Sequence, residues 1–181
     1  MFLITKRSKK KVFKEWVERH NSALYKHALW MTGNRDTAMD MVQECFFQAW
    51  LAIDSLKDKE KSLPWLLTIL RRAIYKEQRY QYRQAEMLEQ FALMDEKNHQ
   101  QDGYQLSEIY NMLEGLSSAH RDIFLMHHLH GFSYQEISEQ LEIPMGTVMS
   151  RISRAKKDLG KLKILSENNI TFIKKNAKVN V

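Results

Sequence analysis

Val148, Ile152, Ala155 and Leu159 recur at i, i+4, i+7 and i+11, a single apolar stripe on an α-helix. At about 100° per residue, the far side gathers Gly146, Ser150, Ser153, Arg154 and Lys157, flanked by Thr147, Met149, Arg151 and Lys156. Past Gly146 the only acid on this helix is Asp158. A merely solvated face would more often mix Glu with Lys in i,i+4 pairs. Small hydroxyls interleaved with Arg and Lys suit close approach to a polyanion, although a solvated basic face remains open on this helix alone. The residues just before it narrow the choice. Ser133 with Glu136 three residues on fits a capping box, and Tyr134, Ile137 and Leu141 form a shorter apolar stripe. Pro144 then suits the first turn of the next helix, and Gly146 lets its backbone come near another surface. Helix, short turn, basic helix is the helix-turn-helix pattern, whose second helix lies in the DNA major groove.

The charge distribution extends this. Residues 1–80 hold 16 basic and 9 acidic side chains, residues 81–108 hold 2 and 6, and residues 109–181 hold 10 and 7. Two basic blocks around an acidic stretch suggest two nucleic-acid-facing modules and a linker, against the plainer reading that the asymmetry serves solubility. A chain of 181 residues is long enough for one domain or two small ones.

With 6 Gly, 2 Pro and no sustained strand alternation outside NITFI, the expectation is an all-α protein. It has two small helical domains joined by a flexible linker. Helices are predicted over Phe13–Met31 and Thr37–Ile53, the latter capped by Asp36, and from Pro64 to about Tyr82. Ser55–Leu63 reads as a polar loop and Lys6–Lys11 as a solvated basic tail. Helices over Tyr104–Leu116 and Ala119–His130 precede the helix-turn-helix. The domain bounds expected are 1–82, an acidic linker 83–104, a DNA-binding domain 105–160 and a basic, disordered tail 161–181.

Two helices carry more than a core. On Thr37–Ile53 the buried stripe reads Ala38, Met41, Val42, Cys45, Phe46, Ala49 and Ile53. The far side holds Asp40, Gln43, Glu44, Phe47 and Leu51, with Trp50 at the margin. Apolar residues rimmed by carboxylates mark either a protein-binding surface or a face covered by another helix of the same domain. On the third helix Trp65, Leu66, Ile69, Leu70 and Ala73 face inward. Arg71, Arg72, Tyr75, Lys76, Arg79, Tyr80, Tyr82 and Arg83 form a cationic-aromatic cluster. Basic side chains track phosphate and aromatics stack on unpaired bases; a surface helix with snorkelling tyrosines is the alternative.

GNRDTAMDMVQECFFQAW (Gly33–Trp50), PWLLTILRRAIYKEQR (Pro64–Arg79) and the run from Leu113 to Leu159 together resemble the extracytoplasmic-function group of bacterial RNA polymerase sigma factors. The resemblance covers roughly residues 10–160. No single motif is decisive, but both halves in this order are specific. It implies a subunit that binds core RNA polymerase and directs it to promoters. Asp40, Gln43, Glu44, Phe47 and Trp50 match the helix that docks on the clamp helices of the largest subunit. The Ser55–Leu63 loop, with Lys57, Lys59 and Lys61, matches the segment that captures an unpaired base of the −10 element. Trp65, Arg71, Arg72, Lys76 and Arg79 would hold the backbone or melting junction beside it. On the recognition helix Met149, Ser150, Ser153 and Arg154 match positions facing the −35 bases, and Thr147, Arg151, Lys156 and Lys157 suit phosphate contact. The second domain would also pack on the β-subunit flap, and an anti-sigma factor is the implied regulator.

The chain departs from that pattern at Met39 (usually Glu), Arg72 (Asn), Lys76 (Asp), Ser117 (Pro) and Met149 (Lys or Arg). Met149 offers apolar contact and no hydrogen-bond donor, which argues against a standard −35 sequence. The two extra cations should strengthen backbone binding and its salt dependence.

Other signals point away from chemistry. His120, His127, His128 and His130 are poorly spaced on a helix for shared metal ligation and lack a neighbouring Cys. A hydrogen-bonded histidine cluster is expected instead. There is no nucleophile–base pairing and no phosphate-cradling glycine loop, so neither enzymatic activity nor a cofactor or metal is expected. Cys45 is the only cysteine, which precludes an internal disulfide. The opening apolar run is too short for a signal peptide or membrane span, so a cytoplasmic protein without direct membrane insertion is expected. The competing function is an autonomous helix-turn-helix regulator, which would need its own dimer surface.

Overall fold

The computed structural model of the chain describes residues 6–89 and 112–161. The chain divides into two units between Gln100 and Gln101, inside the stretch read as a linker. Expectations for residues 90–111 and 162–181, including most of that linker, most of the Tyr104–Leu116 helix and the tail, lie outside the described residues. Among the described residues all regular structure is helical.

The first unit is three mutually packed helices, α1 (Lys6–Thr32), α2 (Arg35–Ala52) and α3 (Ser62–Glu89). Trp16, Leu24, Ala28 and Met31 of α1 meet Ala38, Val42, Cys45 and Ala49 of α2 and Leu66, Leu67, Leu70 and Ile74 of α3. The buried stripe of α2 is the expected one, except that Met41 and Phe46 are half-buried. On α3 the expectation is corrected. Leu67 and Ile74 are core, while Trp65, Ile69 and Ala73 are half-buried, because α3 packs against both α1 and α2 and its inward face is turned by one residue.

Helix ends also differ from expectation. The basic run read as a tail is the first turns of α1. Gly33, at φ 69, ends α1 with its N–H on the Leu29 carbonyl, 2.8 Å, a left-handed conformation that costs glycine little. Asn34, not Asp36, caps α2, accepting the Thr37 N–H at 2.9 Å. The extended backbone at Asn34 aims its side chain at the third helical N–H. Asp36 sits inside the first turn, where its charge favours the positive helix end. The Ser55–Leu63 loop is two short 3₁₀ turns, Ile53–Ser55 and Lys59–Lys61, the second capped by Asp58 on the Glu60 N–H. α3 starts at Ser62, which leaves Pro64 in a first turn where its missing N–H costs nothing. It runs past Tyr82 to Glu89, since RQAEMLE contains only good helix formers.

The second unit is described from Met112, with residues 112–114 helical, then α4 (Ser118–His128), α5 (Tyr134–Leu141) and α6 (Met145–Lys161). Ser117 caps α4 through the His120 N–H. Arg121 is buried and its Nη2 donates to the Glu114 and Leu116 carbonyls, tying the preceding turn to α4. α4 stops at His128, two residues before the expected end, because Gly131 at φ 77 reverses the chain and the Phe132 N–H returns to the Met126 carbonyl, 3.1 Å. His127 Nδ1 lies 2.8 Å from the Phe132 carbonyl.

The capping box of α5 is complete, with Ser133 and Glu136 exchanging both bonds. The Ser133 N–H first, and then the Ser133 hydroxyl, donate to the Glu136 carboxylate and hold it below the usual range. Ile137 is the fully buried anchor of α5. Glu142 then takes a left-handed conformation, φ 53 and ψ 41, uncommon for a residue with a side chain. Ser138 secures the turn twice. Its carbonyl receives the Ile143 N–H at 3.2 Å and its hydroxyl donates to the Ile143 carbonyl at 2.6 Å. The Pro144 carbonyl starts α6, which buries Val148, Ile152, Ala155 and Leu159 as the sequence predicts.

Candidate nucleic-acid and partner-binding surfaces

With that stripe buried, α6 turns its other side to solvent. Met149, Ser150, Ser153, Arg154, Lys156 and Lys157 are exposed, while Thr147 and Arg151 are half-buried at the margins. Among the described residues Arg154, Lys156 and Lys157 form no ion pair, so their charge is available to an external anion. No side chain lies within 4 Å of where a Cβ on Gly146 would stand. Nothing inside the unit therefore requires glycine there.

The second surface is on α2. Asp40, Gln43, Glu44, Phe47 and Leu51 are all exposed, Phe47 at 57% and Leu51 at 60%. Of the two readings left open, cover by another helix of the unit is excluded among the described residues. Trp50 points elsewhere. It is half-buried, with its ring 5.1 Å from Phe13 and Lys9 Nζ 5.2 Å above it, so it supports α2 from the α1 side. Phe46 closes the same cluster, 6.1 Å from Phe13. Between α2 and α3 runs a groove with Asp40, Met41 and Glu44 on one wall and Ile69, Arg72, Lys76 and Tyr80 on the other. The only charges on the α2 wall are acids, while the α3 wall carries the two cations and also Glu77.

The third surface combines the 3₁₀ turns with α3. Lys57 is exposed between the turns, Lys59 and Lys61 on the second, and Arg72, Lys76 and Arg79 along the helix. Arg71 is half-buried, with its guanidinium 5.9 Å from the Tyr75 ring centre. Arg79 Nε donates to the Tyr75 carbonyl, 3.3 Å. Trp65 is half-buried, with its ring 5.8 Å from that of Trp16 in an edge arrangement.

Sequence reasoning missed how α1 grips this loop. Lys9 Nζ lies 2.9 Å from Asp54 Oδ2 where the loop begins. His20 Nε2 lies 2.9 Å from Ser62 Oγ where it ends, with both residues buried. Burial, and then the neighbouring Arg19, push the His20 pKa down. The available signal was spacing, since His20 stands four residues from both Trp16 and Leu24 on the buried stripe of α1. Among the described residues no cluster of His, Cys, Asp or Glu could hold a metal ion, and no helix is long and apolar enough to cross a membrane.

Comparison with known proteins covers both units. The family model described as Sigma-70 region 2 matches residues 16–84, and the one described as Sigma-70, region 4 matches residues 106–159. The chain is 30% identical over 138 residues to the ECF RNA polymerase sigma factor EcfG of Rhodopseudomonas palustris, covering 75% of this chain and 76% of that protein. It is 31% identical over 147 residues to the ECF RNA polymerase sigma factor SigL of Mycobacterium tuberculosis, covering 76% and 81%. Among solved structures it is similar to the sigma factor RpoE of Bartonella quintana, crystallised with the anti-sigma factor NepR. The TM-score is 0.72 and the identity 28%, over 85% of this chain and 98% of that one.

Proposed function

The chain belongs to the ECF sigma factors, the promoter-recognition subunits of RNA polymerase, and from that premise we propose how its surfaces divide the task. The exposed face of α2 docks on core polymerase, with Phe47 and Leu51 as apolar anchors and Asp40, Gln43 and Glu44 as the polar rim. The single observation carrying this is that two large apolar side chains stand in water beside uncovered carboxylates. Exposed patches of that kind mark protein interfaces. The clamp helices of the largest subunit are the proposed partner surface, and Trp50 keeps α2 in place from behind.

The loop of Lys57, Lys59 and Lys61 takes an unpaired base of the −10 element. Trp65, Arg71, Arg72, Lys76 and Arg79 hold the strand beside it, combining phosphate attraction with aromatic surface. In the second unit α6 enters the major groove of the −35 element. Met149, Ser150, Ser153 and Arg154 meet base edges, Thr147, Arg151, Lys156 and Lys157 meet phosphates, and the unit packs on the β flap. The bounds 1–82, 83–104, 105–160 and 161–181 stand as the proposed modules, with α3 reaching some residues into the second. The chain performs no chemistry of its own; nucleotide addition is the polymerase's. It works in the cytoplasm and is held inactive by an anti-sigma factor, as the solved relative bound to NepR suggests.

In vitro transcription with core polymerase tests this, with start sites mapped on genomic fragments that include the chain's own upstream region. Starts that appear only with the protein are expected. Reversing both Asp40 and Glu44 to Lys should abolish them by weakening core binding at least tenfold, with the fold unchanged because both residues are exposed. Tight duplex binding by the protein alone, with no polymerase association, would instead make it an autonomous regulator.

A further inference from the structure

The N-terminal half of α6 is short of donors. From Met145 to Ser150 the side chains are Met, Gly, Thr, Val, Met and Ser, and Val148 is buried. Met145 is 51% exposed and Met149 50% exposed. Four residues apart, they lie one above the other on the same face. Two flexible thioethers thus stand half in water at the end of the helix that enters the groove. The Ser150 hydroxyl already donates its proton to the Thr147 carbonyl at 3.0 Å, so only its lone pairs face outward. The first cation, Arg151, is half-buried, and exposed cations begin at Arg154.

Base edges in the major groove sort against this surface. Guanine shows two acceptors, N7 and O6, and needs a donor, which the exposed side chains Met145, Met149 and Ser150 do not supply. Thymine shows a C5-methyl group, adenine and cytosine an amino donor. An apolar strip beside an outward lone pair fits thymine methyls next to an amino group. We propose that Met145 and Met149 read the C5-methyl groups of thymines in A·T pairs at one end of the −35 element. Ser150 accepts there from an adenine or cytosine amino group. Ser153 and Arg154, a turn further along, supply the first hydrogen-bond donation to a base. Thioethers adapt their shape to irregular apolar contacts, so the pair tolerates which strand carries the methyl better than a branched side chain would. This rests on the placement of α6 in the major groove proposed above.

The test uses the full chain assembled with core polymerase. A preferred −35 duplex is first selected from a randomised pool. Each thymine is then replaced in turn by deoxyuridine, which removes only the methyl and leaves pairing intact. At one or two adjacent positions affinity should fall about fourfold, the worth of one buried methyl group. Met149→Ala should lose affinity for the thymine duplex and become indifferent to deoxyuridine at one of them, while Met149→Leu keeps the sensitivity. Affinity for core polymerase and for a single-stranded −10 oligonucleotide should not change in either variant. Indifference of the wild-type holoenzyme to every deoxyuridine, with Arg154→Ala and Lys157→Ala still impairing binding, would overturn this inference alone. A guanine requirement lost in Met149→Ala would also overturn it. No selectable duplex and no effect of Arg154→Ala or Lys157→Ala would overturn the placement of α6, and the inference with it.

Discussion

His20 sits on the buried stripe of α1 between Trp16 and Leu24, and its bond to Ser62 ends the lysine-rich loop on a fixed point. Burial favours the neutral ring, with the Arg19 charge acting the same way. The unfolded chain takes up the proton at an ordinary histidine pKa near 6.5, the folded chain only at lower pH. Stability is therefore complete above about pH 6.5 and declines as pH falls toward the folded value. Urea unfolding between pH 7.5 and 5 should show that decline in the wild type and less of it in His20→Gln. Ser62→Ala should cost about 1 kcal/mol at pH 7.5 through the lost buried bond. A pH profile in His20→Gln as steep as that of the wild type would locate the sensitivity elsewhere. Such a pairing was not legible in the sequence. His20 fits the helical period, but its partner lies 42 residues away on another element, and periodicity carries no information across elements. The caps divide similarly. Ser133 and Glu136 are three residues apart and readable as a box, whereas the cap of α2 falls on Asn34 rather than Asp36 because the turn left by Gly33 starts the helix at Arg35.

Among the elements, α6 was the most legible, because its buried residues fall on one narrow stripe with a polar remainder, although it meets both α4 and α5. α3 was the least. It is apolar over its first half and meets two helices, so several phases of the period fit, and the one that buries Leu67 and Ile74 emerges only from the packing. It continues past Tyr82 despite the acidic composition there, since nothing in RQAEMLE breaks a helix. Gly146 poses an element-scale question with a measurable answer. Alanine there meets no neighbour and should stabilise the second unit by up to about 1 kcal/mol, since glycine is a poor helix residue. If the helix backbone closes on DNA at that point, the same change should weaken −35 duplex binding severalfold. A stabilised Gly146→Ala variant with unaltered DNA affinity would show that α6 does not approach that closely.

At the scale of the whole molecule, Cys45 reports on the integrity of the first unit. Its thiol is fully buried, donates to the Leu66 carbonyl at 3.3 Å, and is pushed up to about 12 chiefly by burial. A protonated, inaccessible thiol does not react. Modification by iodoacetamide at pH 8, followed by mass spectrometry, should be slow, and slower still in the holoenzyme, because binding to the folded form depletes the open one. Rapid modification of the free native protein would contradict the packing of α2 on α3. The exposure of Phe47 and Leu51 was visible in advance because both break the amphipathic pattern of their helix. The division of labour inside the cationic cluster was not, since which of Arg71, Arg72 and Arg79 turns inward depends on Tyr75 and on α2. The turn ahead of α6 has one more consequence. Ser138 locks it from both its carbonyl and its hydroxyl, and Glu142 holds a backbone conformation it would not keep in a loose chain. The angle between the two helices is thus fixed before any promoter is met. The entropy of ordering this turn falls on folding, and encounters with DNA need only the right orientation to become productive, with no wait for the reading element to form.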